Sequence, residues 1–165
     1  MKKIDLNVDI GEGFPNDDLL LDFATSANVC CGEHAGSIAL THATVELCRE
    51  RGVRIGAHPG FPDRDSMGRR IPTVSEIRAA SDSLLSQVSR VAGAAYVKPH
   101  GAFYNLLVDL TSPKSELVVA AWDVAIQYNE RGYPLMLLNG DNYQWATRNH
   151  FPTASMITEG FADRA

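Results

Sequence analysis

At 165 residues, 45% hydrophobic and 21% charged, the chain has the composition of a soluble globular protein and the length of a single domain, 1–165, with a sizeable core. A formal charge of −5 with scattered basic residues excludes a cationic footprint for nucleic acid or an anionic membrane, which leaves a small molecule as the expected partner. No run approaches the roughly 18 apolar residues of a membrane span, Met1-Lys2-Lys3 leads into no apolar signal core, and Cys30, Cys31 and Cys48 include no CxxC spacing, so a reducing cytoplasm is the expected location.

Residues 4–10 alternate apolar and polar and break at Gly11-Glu12-Gly13, which predicts a strand entering a turn. Ile4, Leu6, Val8 and Ile10 would face one way; Asp5, Asn7 and Asp9 would line a barrel interior or meet solvent. After a short helix over 17–24, residues 27–31 read as a buried strand, in which Cys30 and Cys31 have the ordinary role of buried side chains. It ends at Gly32-Glu33-His34-Ala35-Gly36. Ser37 caps a helix to Gly52 with Ala39, Ala43 and Leu47 as its apolar stripe and His42 as a surface or packing residue.

A third strand over 53–57 ends at His58-Pro59-Gly60-Phe61-Pro62-Asp63. In the polar loop 64–70, Arg69 and Arg70 are either a solvated charge cluster or a clamp for a carboxylate or phosphate. Thr73 and Glu76 form a capping box that opens a helix to about Ala92, with Ile77, Leu84, Leu85 and Val88 inward. The apolar run 94–97 predicts a fourth strand, stopping at Lys98-Pro99-His100-Gly101, with Lys98 and His100 on one side if strand geometry persists through Pro99. Ser112-Pro113 reads as the start of a helix through Trp122 and Ile126 to Gly132. A fifth strand over 133–138 ends at Asn139, a helix is expected over 142–149, and a sixth strand over 154–158 ends at Glu159.

Strands alternating with helices imply an α/β fold with a parallel sheet and right-handed crossovers. Glu12, His34, His58, His100, Asn139 and Glu159 all fall at strand ends, and in a (β/α) barrel these open onto one face. A pocket lined by Asp9, Glu12, His34, His58, Lys98, His100 and Glu159 has the bases, the proton donors and the fixed cation that amide hydrolysis needs. The competing use of His34, His58 and His100 with a carboxylate is to hold a divalent metal, but spacings of 24 and 42 residues leave that to the fold. There is no GxxxxGK[ST] or GxGxxG loop, so ATP or NAD chemistry would fall to another chain.

With these residues assembled, the chain resembles the LamB/YcsF family, which supplies the A subunit of prokaryotic 5-oxoprolinases. The resemblance rests on the segments 5–14, 25–28, 31–36, 56–63, 68–70, 97–105 and 161–164, in family order along the whole chain. It implies a (β/α) barrel of the glycoside hydrolase/deacetylase type and a role in ATP-dependent opening of 5-oxo-L-proline to L-glutamate with B and C subunits, ATP being used by the complex. By resemblance Asp9, Glu12, His34, His58, Lys98 and His100 form the site. Asp9 or Glu12 would be the base, Lys98 would hold the lactam oxygen or an activated phosphate, and His100 would pass a proton to nitrogen. Arg69 or Arg70 would pair with the substrate carboxylate, with Asn7, Tyr104, Asn139, Glu159, Asp163 and Arg164 as further substrate contacts.

The chain departs from the family in having Val8 in place of Cys, and Glu33 in place of an apolar or aromatic residue. A carboxylate at 33 would raise the pKa of His34 or add a metal ligand. It is also shorter than the roughly 250 residues of an ordinary barrel, so a barrel truncated after about six strands is expected, with exposed apolar faces or closure by another copy in a homo-oligomer. The alternative readings are a metal-dependent deacetylase and a noncatalytic component that binds a lactam or a partner chain.

Overall fold

The computed structural model describes residues 4–108, 115–138 and the strand 156–159. The elements are β1 (Asn7–Ile10), α1 (Asp17–Leu20), β2 (Ser26–Cys30), α2 (Ile38–Glu50), β3 (Arg54–His58), α3 (Val74–Gln87) running into a 3-10 turn at Val88–Arg90, α4 (Gly101–Val108), α5 (Glu116–Glu130), β4 (Leu135–Leu138) and β5 (Met156–Glu159). β1, β2 and β3 pair in parallel in that order, and β4 pairs in parallel with β5. Parallel bridges from Val97 to Ala57 and to Leu135 join the two ladders. The fold is therefore α/β with a parallel sheet, and no helix among the described residues is long and apolar enough to cross a membrane.

Several elements differ from the sequence reading for local reasons. The first strand starts at Asn7: Ile4 and Leu6 are 82% and 54% exposed, and the Leu6 N–H donates to the Thr25 hydroxyl rather than to a backbone carbonyl of the neighbouring strand. The fourth strand is reduced to the bridge at Val97, though Ala95 donates to Ile55 O, Lys98 to Ala57 O, and Val97 to Pro134 O. Gly93, at φ 79°, turns the chain just before it, and Pro99 has no N–H with which to continue. In α2 the buried face is Thr41, Thr44, Val45 and Cys48, not Ala39, Ala43 and Leu47. The Thr41 hydroxyl donates to Cys30 O at 2.7 Å and rolls the helix toward the end of β2. His42 is exposed, as a surface residue should be.

The Thr73–Glu76 capping box is formed, and Ile77, Leu84, Leu85 and Val88 are buried as read. α3 ends at Gln87 rather than near Ala92, where the Gln87 amide turns to bond both Gly60 N and Gly60 O. The cap of α5 is Ser115, whose hydroxyl accepts from Val118 N; Ser112 and Pro113 lie outside the described residues, as does the helix expected over 142–149. β4 begins at Leu135 because Pro134 cannot donate to a ladder. Trp122, Tyr128, Phe103 and Leu84 fill the core, with the Tyr128 hydroxyl donating to Leu84 O. Leu19, Leu20 and Phe23, between β1 and β2 in sequence, are exposed, and β1 has one ladder partner among the described residues. Cys30, Cys31 and Cys48 are free and buried.

Candidate functional site

The carboxyl ends of β1, β2, β3 and the Val97 segment carry the polar groups forward together. β1 delivers Asp9 and, past Gly11 at φ 78°, Glu12. The β2 loop folds back against the β1 loop, Gly36 donating to Glu12 O; a Cβ on Gly36 would lie 2.3 Å from Gly11 O. That contact delivers His34. His58 is the last residue of β3, and Lys98 and His100 flank Pro99. Met67, at φ 51°, occupies the left-handed region that costs a branched or bulky side chain energy, and its carbonyl oxygen lies 2.9 Å from His100 Nε2.

Two linked clusters result. In the first, Lys98 Nζ lies 3.1 Å from Asp9 Oδ1 and the Asn28 amide donates to the same oxygen at 2.6 Å. Asp9 and Asn28 are register partners across β1 and β2. Burial would raise the Asp9 pKa, but His58, Lys98 and the Asn28 amide outweigh it and hold the carboxyl well below the ordinary range. In the second, Glu12 Oε1 stands 3.4 Å from His34 Nε2, 3.4 Å from His100 Nδ1 and 3.9 Å from His58 Nε2. Burial opposes its ionisation, yet the hydrogen bond from His34 and the neighbouring imidazoles keep its pKa low. His58 Nε2 and His100 Nδ1 are 2.9 Å apart, and His58 Nε2 also lies 3.7 Å from Asp9 Oδ2. Burial drives the His58 pKa down, partly opposed by Asp9; burial, reinforced by His58 and His34, takes His100 to about 3. The site at neutral pH thus holds ionised Asp9 and Glu12 against neutral His58 and His100.

The expected convergence of Asp9, Glu12, His34, His58, Lys98 and His100 is therefore found in the geometry. One donor atom from each of Glu12, His34, His58 and His100 lies within 4.8 Å of the others, and imidazole with carboxylate is the ligand chemistry of zinc and related divalent metals. Cys30 Sγ is 3.3 Å from His34 Nε2, but burial pushes the thiol up to about 11, so it stays protonated.

The remaining candidates sit elsewhere. Asn7 is a layer below, donating to Ser26 Oγ and the Tyr96 hydroxyl and accepting from Asn28. Arg70 is exposed and paired with Glu76 and Asp63; Arg69 is exposed, its Cγ 3.5 Å from where a Gly101 Cβ would be. The Tyr104 hydroxyl accepts from Leu138 N. Glu33 is not beside the imidazoles as an added ligand: its carboxylate pairs with Arg90 at 2.7 Å. Glu159 closes β5, while Asn139, Asp163 and Arg164 lie outside the described residues. The sequence reading missed Asn28, whose signal was a lone amide in an apolar run, and the Met67 carbonyl, which no side-chain pattern could reveal.

Comparison with known proteins places this arrangement in context. The profile of the LamB/YcsF family matches residues 4–165. The A subunit of 5-oxoprolinase from Histophilus somni is 38% identical over 99% of this chain and 66% of its own length. That from Neisseria meningitidis serogroup C is 48% identical over 64% of this chain and 46% of its own. The crystal structure of a lactam utilization protein from Thermus thermophilus superposes with a TM-score of 0.77 at 31% identity, covering 99% of this chain and 68% of that one. The chain thus spans about half to two thirds of the relatives it matches.

Proposed function

Because the chain belongs to the LamB/YcsF family, we propose that it acts as the A subunit of an ATP-dependent 5-oxoprolinase, opening 5-oxo-L-proline to L-glutamate in the cytoplasm with B and C subunits. The observation that carries this reading is the meeting of an ionised carboxylate, two neutral imidazoles and a lysine at the ends of four parallel segments. The parallel sheet, on this reading, is part of a (β/α) barrel of the glycoside hydrolase/deacetylase type.

The roles follow from charge and position. Glu12 is the better base of the two carboxylates, because Asp9 is already committed to Lys98 and Asn28. It takes a proton from water as the water oxygen adds to the lactam carbonyl carbon and hands that proton to His100 Nδ1, 3.4 Å away; the imidazolium so formed passes it to the ring nitrogen as the C–N bond breaks. Lys98, oriented by Asp9, faces the lactam oxygen or an activated phosphate and stabilises negative charge there. Arg69, with Arg70 beside it, is the proposed partner of the substrate carboxylate. ATP is used by the assembled complex. Asn7 supports Asp9 through Asn28 instead of touching substrate.

The test is glutamate release from 5-oxoproline by this chain with ATP and the B and C subunits, with a full-length relative as control. Release only in the complete mixture is the expected result; release by neither protein refutes the reading. The donor cluster favours a second reading, a metal-dependent deacetylase-like hydrolase. Acetate release from an N-acetyl sugar, abolished by a chelator, is its distinguishing result.

A further inference from the structure

His58 and His100 form a chain between two backbone carbonyls. Its three gaps run from Lys98 O to His58 Nδ1 at 2.6 Å, from His58 Nε2 to His100 Nδ1 at 2.9 Å, and from His100 Nε2 to Met67 O at 2.9 Å. Carbonyl oxygens only accept, so each gap needs a proton from an imidazole. Two neutral imidazoles bring two protons, and the chain is one short. When both outer nitrogens donate to their carbonyls, the inner two present lone pairs to each other. Either a third proton or a metal ion between the inner nitrogens would resolve the mismatch.

The surroundings favour the metal ion. Glu12 Oε1 completes a triangle with the inner nitrogens, its sides 2.9, 3.4 and 3.9 Å. Donors bound to one ion at about 2.1 Å stand about 3.0–3.4 Å apart, so small adjustments bring all three onto a shared centre. Both imidazoles also have the outer partner that ligating histidines require, a carbonyl taking the other N–H. His34 lacks it. Its Nδ1 is buried with no partner among the described residues and is covered by Gly60, where a Cβ would come within 2.6 Å. An N–H there would be left unsatisfied, so the proton of His34 is on Nε2, aimed at Glu12.

We propose that His58 Nε2, His100 Nδ1 and Glu12 bind one divalent metal ion of the zinc class, and that His34 is a positioning residue that holds Glu12 by donating to it. A divalent ion in that place would supply a Lewis acid for a carbonyl or for water, and with it bound Glu12 and His100 would serve as ligands in place of their proposed roles as base and proton donor. The proposal is independent of which amide or ester the site cleaves, because it is read from metal binding alone.

The test titrates the metal-free chain with Zn²⁺ by calorimetry and with Co²⁺ by visible absorption, with circular dichroism as the check on folding. One ion per chain is expected, with affinity falling about 100-fold or more in His58→Gln, His100→Gln and Glu12→Gln. His34→Ala weakens binding about 10- to 100-fold, as loss of an outer partner does. His34→Gln, which keeps an N–H at the same reach, restores it with an unchanged Co²⁺ spectrum. In the unmutated protein, long-range proton–nitrogen spectra should show Zn²⁺ moving His58 Nε2 and His100 Nδ1 while His34 keeps its Nε2 proton, a readout that no folding defect can confuse. Absence of stoichiometric binding overturns the proposal, as does a His34→Gln variant as weak as His58→Gln or a His34 nitrogen that shifts as a ligand does.

Discussion

Replacing Gly60 with alanine tests how tightly the site is built. The new Cβ would stand 2.6 Å from His34 Nδ1, 3.0 Å from His34 Cγ and 3.3 Å from His100 Cβ, against an ordinary contact of 3.4–4 Å. The shortfall of at least 0.8 Å (3.4 less 2.6) falls on a ring that cannot yield freely, since His34 is stacked on His100 with centroids 3.9 Å apart and planes 3° from parallel. Gly60 is also fixed from behind by the two Gln87 bonds. Overpacking of this kind costs about 1–3 kcal/mol, and the lost chain freedom of the unfolded state returns about 0.4–1 kcal/mol. A net loss of about 1–2 kcal/mol lowers the melting temperature by roughly 2–8 °C in a chain of this size. Activity should fall further than stability, because the displaced ring is the one that meets Glu12. Differential scanning calorimetry and glutamate release on the same preparation measure both; an unchanged or raised melting temperature would refute the packing argument.

Stability should also follow pH in a stated direction. His58 and His100 have folded pKa values lowered below the unfolded value by burial, so below about pH 6.5 the unfolded chain takes up protons that the folded chain refuses. Their contribution is therefore complete above pH 7 and is lost as pH falls from 6.5 toward 3. Urea midpoints at pH 7.5 and 5.0 should differ, and the difference should shrink in His100→Gln; equal midpoints in the unmutated protein would contradict it. Asn28→Ala removes the amide that holds Asp9 and leaves Asn7 short of a partner, at about 1–3 kcal/mol, and should depress turnover while Asn28→Asp, a like charge against Asp9, is worse. Gln87→Leu strands both polar groups of the Gly60 backbone and should cost about 2 kcal/mol or more, read by urea unfolding.

The glycine and proline punctuation around each apolar run made the α/β order readable, and the Thr73–Glu76 box fixed one helix start outright. The site was legible because three histidines recurred at strand ends, a pattern set by the fold's topology rather than by local spacing. What escaped was decided by tertiary contacts. Alanine spacing in α2 suggested one face, but the Thr41 hydroxyl found Cys30 O and turned the helix to another. Glu33 sits next to His34 in sequence and would be taken as its partner, yet successive side chains diverge, and Arg90 claims the carboxylate. For Arg69 and Arg70 the sequence left a solvated charge cluster and an anion clamp open, a choice it could not make because the partners of Arg70, Asp63 and Glu76, are brought to it by the fold.

Val97 joins the two ladders by single bridges on either side, and this seam is also where the site is divided. Asp9, Glu12, His34 and His58 belong to one half of the sheet, while Lys98 and His100 follow directly from the seam residue. Parting Val97 from Ala57 would therefore pull the lysine and one imidazole away from their counterparts while each half kept its own ladder. The candidate site and the cohesion of the sheet would fail together along this seam. The Lys98 amide donates to Ala57 O among the bonds of Ala95 to Ile55 O, Ala57 to Tyr96 O and His100 to Pro59 O, and its exchange rate would be a clock for how often the two halves part.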